Sequence, residues 1–282
     1  MEDFWIEHRY NTSGFQLKRH FENVYQILLV CNGRIRYRVG RQCYEAGRGA
    51  ILVLNTLEEH DLKVLEYPYE RYLIRVQPDF FENEVKYPEV IAAFIKRPPN
   101  FSHLLTVTQD VWNVLYGIVL EMEREYNQKK KYWALFVGAD LRRLFIIIFR
   151  ECASVMSMKI GRSVTVAYHI MNYINHHYTE ELHVETIAAE LGLNKNYISH
   201  VFKDETGYSL MAYVIALRIN RAKLLLTRTD QRVTEIAAAC GYDDFTYFSR
   251  QFKKSTGFSP TSYRNQYANL TEKAEFLTSQ AY

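Results

Sequence analysis

The pattern of apolar and polar positions changes twice along the chain. Residues 1 to about 105 carry short β-branched and aromatic runs separated by Gly- and Asn-containing turns, as in NVYQILLVCNGRIRYRVGRQCYEAGRGAILVLN. Strands at this spacing predict a β-sandwich or barrel. Asn32-Gly33 predicts a hairpin turn, because both residues tolerate positive φ. Gly40, Gly47 and Gly49 mark further turns, and HDLKVLEY and YERYLIRV continue the strands after a loop. From 106 to 160 the period becomes helical. Val111, Leu115, Ile118, Val119, Met122 and Tyr126 fall at helical spacing. Trp133, Phe136, Val137, Leu141, Leu144, Phe145 and Ile148 share one face of a second helix, beyond NQKKKY. This helical hairpin either covers the barrel or offers one apolar stripe to a second subunit.

The third region, 161–282, is helical again and contains a repeat. Ile187, Ala188, Ala189 and Gly192 return as Ile236, Ala237, Ala238 and Gly241, 49 residues later. Phe202, Lys203, Thr206, Gly207, Ser209 and Tyr213 return as Phe252, Lys253, Thr256, Gly257, Ser259 and Tyr263, 50 residues later. In each copy a short helix with a small-residue face ends at a Gly, which suits a left-handed C-cap. A second helix follows after three or four turn residues. This is a helix-turn-helix arrangement, whose second helix enters the major groove. The motifs are placed at about 184–206 and 233–256.

On the second helices, Ile198, Val201 and Phe202, then Phe248 and Phe252, are expected to face inward. That leaves Lys195, Asn196, Ser199, His200 and Lys203 outside in the first copy. In the second copy Thr246, Tyr247, Ser249, Arg250, Lys253 and Lys254 are outside. Arg pairs bidentately with guanine, Asn with adenine, and hydroxyl side chains with several base edges.

Composition adds little, and charge counts only locally. The net charge of +3 implies no nucleic-acid partner by itself, and 161–282 holds 13 basic against 12 acidic residues. Yet 245–264 carries Arg250, Lys253, Lys254 and Arg264 with no acid, and the joining helix adds Arg218, Arg221, Lys223 and Arg228. This basic track suits phosphate contacts; the alternative is an ordinary solvated face. Cys31, Cys43, Cys152 and Cys240 are scattered, with no CxxC pair. The start, MEDFWIEHRY, lacks an apolar signal core, and LFIIIF is too short to span a bilayer. The expectation is a cytoplasmic protein with no membrane partner.

Gly241-Tyr242, Tyr247-Phe248-Ser249, Phe252-Lys253, Gly257, Ser259-Pro260 and Tyr263-Arg264 resemble the C-terminal signature of the AraC/XylS family of transcriptional regulators. The first copy and LRINRAKLLL resemble the rest of that family's DNA-binding domain. Two departures stand out: His200 where the family often has a larger basic reader, and Leu210 where the second copy has Pro260. YQILLVCNGRIRYRVGRQCYEAGRGAILVLNTLEEHDLKV is similar to the cupin-like sensor domain of many members. The resemblance implies an α+β multidomain chain. A cupin-like effector-sensing β-barrel would occupy 1–105, a helical dimerisation and linker region 106–160, and a DNA-binding domain 161–282. It further implies an effector-responsive activator, homodimeric, with double-stranded DNA, a small-molecule effector such as a sugar, and RNA polymerase as partners.

His8, His20, His60 and His103 are too dispersed in sequence for a cupin metal site. Neither a metal, another cofactor nor a catalytic residue is expected. Arg34, Arg36 and Arg38 share one face of a strand and are either solvated or part of a pocket wall that pairs with an anionic effector. Gln26 and His60 are placed in the pocket by position in the resembled pattern, and His60 fits a structural role equally well. Two other functions remain open from sequence: a barrel enzyme fused to a DNA-targeting module, and a ligand-independent regulator controlled by a protein partner.

Overall fold

A computed structural model describes residues 4–20, 22–56, 58–78, 80, 102–155 and 162–266. Parts of the expected domains, at 81–101, 156–161 and 267–282, lie outside the described residues. The chain forms two compact units, the first Met1–Asn172 with Asp204–Thr206 and the second Tyr173–Lys203 with Gly207–Tyr282.

The first unit is built on an antiparallel sheet of seven strands: β1 (Phe4–Asn11), β2 (Gln16–His20), β3 (Tyr25–Val39), β4 (Gln42–Ala46), β5 (Ile51–Leu54), β6 (His60–Val76) and β7 (Leu104–Leu105). The order is β1-β6-β3-β5-β7, with β2 also on β6 and β4 also on β3. The long strands β3 and β6 pair along their whole length, Tyr25 opposite Val76 and Val39 opposite His60. Each bends midway, where the register shifts between Val30 and Ile35.

That bend corrects one expectation. Asn32-Gly33 is not a hairpin turn but a bulge inside β3. Gly33 has φ +80, and a β-carbon there would stand 2.6 Å from the Glu66 carbonyl oxygen and 2.7 Å from that of Pro68. The glycine serves a close crossing of backbones rather than a reversal. HDLKVLEY and YERYLIRV are likewise one strand, β6.

Alternation along the strands separates two faces. Leu28, Val30, Ile35, Tyr37, Val39, Leu52, Leu54, Leu62, Val64, Tyr69 and Leu73 make the buried interior, with Phe15, Leu17 and Tyr44 packed against them. Phe4, Tyr72 and their neighbours face the other way. Helix α1 (Gln109–Gln128) covers them: Tyr72 Oη donates to Glu123 Oε2 at 2.9 Å, and Phe4 stacks near Tyr126 and Trp133.

Helix α1 starts where Thr108 Oγ1 accepts from the Val111 N–H and stops at Lys129, whose backbone is left-handed. Its buried residues are Trp112, Leu115, Ile118, Val119 and Met122. Helix α2 (Trp133–Val155) packs on α1 and buries Val137, Leu141, Leu144, Phe145 and Ile148. Phe136, expected on that face, is 46% exposed.

The division falls within α3 (Arg162–His177), after which come α4 (Val184–Glu190), α5 (Lys195–Thr206), α6 (Leu210–Arg228), α7 (Val233–Ala239) and α8 (Phe245–Thr256). Residues 260–266 are helical. The core of the second unit gathers Ile219, Ala222 and Leu226 of α6 with Ile236, Ala237, Phe248 and Phe252. No helix among the described residues is long and apolar enough to cross a membrane.

Candidate nucleic-acid interface and effector site

The repeat folds as two helix-turn-helix pairs, α4–α5 and α7–α8. Each second helix is fixed by the same local chemistry. Asn194 caps α5 by accepting from the Asn196 N–H at 2.8 Å, and Asp244 caps α8 by accepting from the Thr246 and Tyr247 N–H groups at 2.7 and 3.1 Å. Those two N–H bonds hold the Asp244 carboxyl below its ordinary range. Gly207 and Gly257 end the helices in the left-handed region, with their N–H groups donating to the carbonyls of Lys203 and Lys253. Ile198 and Phe202 anchor α5, and Phe248 and Phe252 anchor α8; all four are fully buried.

The opposite faces are polar. Lys195, Asn196, His200 and Lys203 are exposed on α5, and Thr246, Tyr247, Arg250, Lys253 and Lys254 on α8. Ser199 and Ser249 are half-buried. Ser199 Oγ donates to the Lys195 carbonyl and Lys195 Nζ lies 3.3 Å from Glu185. His200, Lys203, Arg250, Lys253 and Lys254 make no ion pair among the described residues. The sequence reading missed Tyr197, which is 40% exposed and takes the place of Tyr247, 41% exposed, in the second copy. The 50-residue offset alone would have found it.

Two members of the expected basic track are engaged inside the unit. Arg218 donates to the carbonyls of Tyr178 and Glu180 at 2.6 and 2.7 Å and lies over the Tyr242 ring. Arg264 donates to the carbonyls of Leu226 and Gln231 at 3.2 and 2.6 Å. Each clamps a segment that leads into a helix-turn-helix. Gly241 completes the first clamp: a β-carbon on it would meet the Thr179 carbonyl oxygen at 2.6 Å.

In the barrel, Gln26 and His60 are both buried, 2% and 1% exposed. Gln26 Nε2 donates to Glu22 Oε2 at 3.4 Å. His60 Nδ1 donates to the Glu58 carbonyl at 2.8 Å, and its ring sits against those of His20 and Tyr37. Burial, aided by His20, pushes the His60 pKa down to about 4, so the imidazole is neutral. Arg36 is elsewhere. It lies on the exposed face of β3 and donates to Glu45 at 2.8 Å, between the Arg34–Glu45–Glu66 and Arg38–Asp61 pairs.

The sequence reading also missed an interior charge cluster. Glu7 accepts from Arg71 at 3.0 Å and Arg75 at 3.3 Å and pairs with Arg9 at 2.7 Å. Arg75 Nε lies 3.0 Å from Glu22 Oε2, off the hydrogen-bonding direction. Burial works to raise both carboxyls, but the guanidiniums outweigh it and hold them below their ordinary range. Among the described residues, no group of three His, Cys, Asp or Glu is placed to hold a metal ion, and Cys31, Cys43 and Cys240 are free thiols.

Two tandem helix-turn-helix pairs in one unit, and in the other a β-sheet domain with a polar cluster, define a double helix-turn-helix protein that also carries a β-sheet domain. Comparison with known proteins agrees. Residues 4–130 match the AraC-like ligand binding domain, and residues 187–266 match a helix-turn-helix domain. The HTH-type transcriptional activator RhaS of Klebsiella pneumoniae is 23% identical over 262 residues, 92% of this chain and 91% of that protein. The HTH-type transcriptional regulator YijO of Escherichia coli is 35% identical over 136 residues. That match spans 47% of this chain and about half, 48%, of YijO. ToxT of Vibrio cholerae, solved with an unsaturated fatty acid bound, shares the fold at a TM-score of 0.61 and 15% identity, over 93% of this chain and 94% of that one. The chain belongs to the AraC/XylS family of transcriptional regulators.

Proposed function

We propose that the chain is a sequence-specific, effector-responsive transcriptional activator in which α5 and α8 read DNA. One observation carries this reading: two equivalent helices, each anchored by two buried apolar side chains, present exposed polar faces on which the basic groups other than Lys195 make no ion pair among the described residues. A solvated surface helix has no need of a second copy held in place by half-buried arginine clamps. Arg250 is assigned a base edge, guanine being the match for its guanidinium. Lys253 and Lys254 are assigned phosphates, and Asn196, Ser199 and His200 the first half of the site, with Lys195, Lys203, Thr246, Tyr247 and Ser249 around them.

The barrel is the effector domain, Gln26 and His60 lie in its interior, and the protein acts in the cytoplasm without catalysis. Effector binding shifts the population of DNA-competent states, and the bound activator engages RNA polymerase. The chain acts as a homodimer through α2, where Tyr132, Leu135, Phe136 and Ile146 are 66%, 70%, 46% and 37% exposed. Leu135 and Ile146 stand three helical turns apart on one stripe. Two bound domains then gain from effective concentration.

The test begins with an operator selected from random DNA by the purified protein. Arg250→Ala should cost about 1–3 kcal/mol on that operator and relax preference at one base. Lys254→Ala should weaken all sequences alike and lower the salt slope by roughly one charge. If Arg250→Ala weakens random DNA as much as the operator, Arg250 is a phosphate contact. If neither substitution matters, α8 does not dock.

A further inference from the structure

Three side-chain atoms on β6, Tyr69 Oη, Arg71 Nε and Arg75 Nε, meet no hydrogen-bond partner among the described residues, and of these Arg75 Nε lies 3.0 Å from a carboxylate oxygen of Glu22. Tyr69 is fully buried, and its Oη meets no hydrogen-bond partner among the described residues. Arg71 follows two residues later on the same face, with its side chain 6% exposed. Its Nη2 donates to Glu7, but its Nε has no partner. Buried donors are nearly always satisfied by protein or water, so the bare pair at Tyr69 and Arg71 calls for an explanation. Phe15 borders both: its ring centroid is 5.9 Å from that of Tyr69, and the Arg71 guanidinium carbon is 5.2 Å from its ring.

Charge indicates what belongs there. Arg9, Arg71 and Arg75 face Glu7 and Glu22, so three positive charges meet two negative ones and one is left over. Neutral His60 adds nothing. Glu58, on the His60 side, is taken up by His103 Nε2 at 3.0 Å and the Asn55 N–H at 2.7 Å. A neutral polyol could accept hydrogen bonds from Tyr69 and Arg71 but would leave the excess positive charge around the buried Arg71 unmatched. A carboxylate satisfies both donors and the charge together.

We infer that Tyr69, Arg71 and Phe15 form the head-group subsite of the effector, and that the effector is a small organic acid. Its carboxylate accepts from Arg71 Nε and Tyr69 Oη, and its apolar part lies toward Phe15 and the aliphatic interior of Leu28, Val30 and Leu73. This rests on the reading of the barrel as the effector domain.

The test uses the full-length protein, calorimetry and thermal unfolding, with benzoate, octanoate, their amides, glucose and inorganic phosphate as probes. At least one acid should bind and raise Tm with concentration, and its amide should bind at least about tenfold more weakly. Tyr69→Phe should weaken the acid about tenfold without lowering the Tm of the free protein, because it removes an unpartnered hydroxyl. Arg71→Gln should abolish the acid response. The acid-to-amide comparison needs no variant and stands even if Arg71→Gln fails to fold.

Acid and amide binding alike, acid binding indifferent to Tyr69→Phe, or no acid binding at millimolar concentration each overturns the carboxylate subsite. Phosphate binding without any acid also overturns it. Glucose binding in place of the acids does so too, while leaving the effector reading standing. That broader reading has its own arm: a deproteinised cell extract that changes neither Tm nor operator affinity sinks it.

Discussion

Gly192 and Gly241 occupy the same place in the two helix-turn-helix turns, yet alanine should affect them unequally. Both have positive φ, +62 and +82. A side chain held in the left-handed region costs roughly 1–2 kcal/mol, and both positions bear that cost. Only Gly241 has a neighbour in the way. A β-carbon at Gly192 meets nothing within 4 Å, whereas at Gly241 it would stand 2.6 Å from the Thr179 oxygen and 2.9 Å from the Thr179 carbonyl carbon. These are backbone atoms, held in place by the Arg218 bonds on either side of Thr179. They cannot swing aside as a flexible side chain would. Overpacking of this kind adds about 1–3 kcal/mol. The expected costs are therefore about 1–2 kcal/mol for Gly192→Ala and about 2–5 kcal/mol for Gly241→Ala. Native-state hydrogen exchange of the helix amides is the suitable assay, because it reports the second unit without assuming that the chain unfolds in one step. Gly241→Ala should also reduce operator affinity, since the clash displaces α7 and α8 from the clamp. Equal costs at the two glycines, or a larger cost at Gly192, would refute the reasoning.

Three further outcomes are expected. Arg218→Ala should destabilise the second unit by about 2–3 kcal/mol through lost charged hydrogen bonds, while the salt slope of non-specific DNA binding stays unchanged; a slope reduced by one charge would make Arg218 a phosphate contact. The folded pKa of His60 is depressed to about 4 from 6.5, so the unfolded chain takes up a proton that the folded chain refuses. Stability at His60 is intact above pH 6.5 and is lost as pH falls from about 6.5 to about 4, by about 3 kcal/mol in all. His60→Gln should flatten that window in urea titrations, and an unchanged pH profile would deny the effect. If the chain dimerises through α2 as proposed, Leu135→Glu with Phe136→Glu should leave the fold intact and turn a dimer into a monomer by sedimentation; a dimer that survives both changes does not use this stripe of α2.

The sequence by itself determined the second unit almost residue by residue. The second helix of each pair is specified locally: an Asn or Asp cap, two apolar anchors one turn apart, and a Gly where the backbone turns left-handed. The 50-residue repeat then identified the exposed face twice over. Local signals suffice because the partners of a helical residue lie three or four positions away. The barrel is different. Alternation along a strand separates two faces but does not say which is inside, and the cross-strand partner lies tens of residues off. Arg36 and Arg71 both alternate with apolar neighbours; only pairing of β3 with β6 puts the first in solvent and the second inside. Glu7, Glu22, Arg71 and Arg75 carry no common motif, and only the β1-β6-β3 order brings them together. Asn32-Gly33 carried a strong hairpin signal, but the 15-residue β3 runs straight through it, because the crossing backbone at Glu66 and Pro68 needs a residue without a β-carbon. Arg218 and Arg264 were legible as charge; that they face carbonyl oxygens depends on segments 33 to 40 residues away, a distance that only tertiary packing closes.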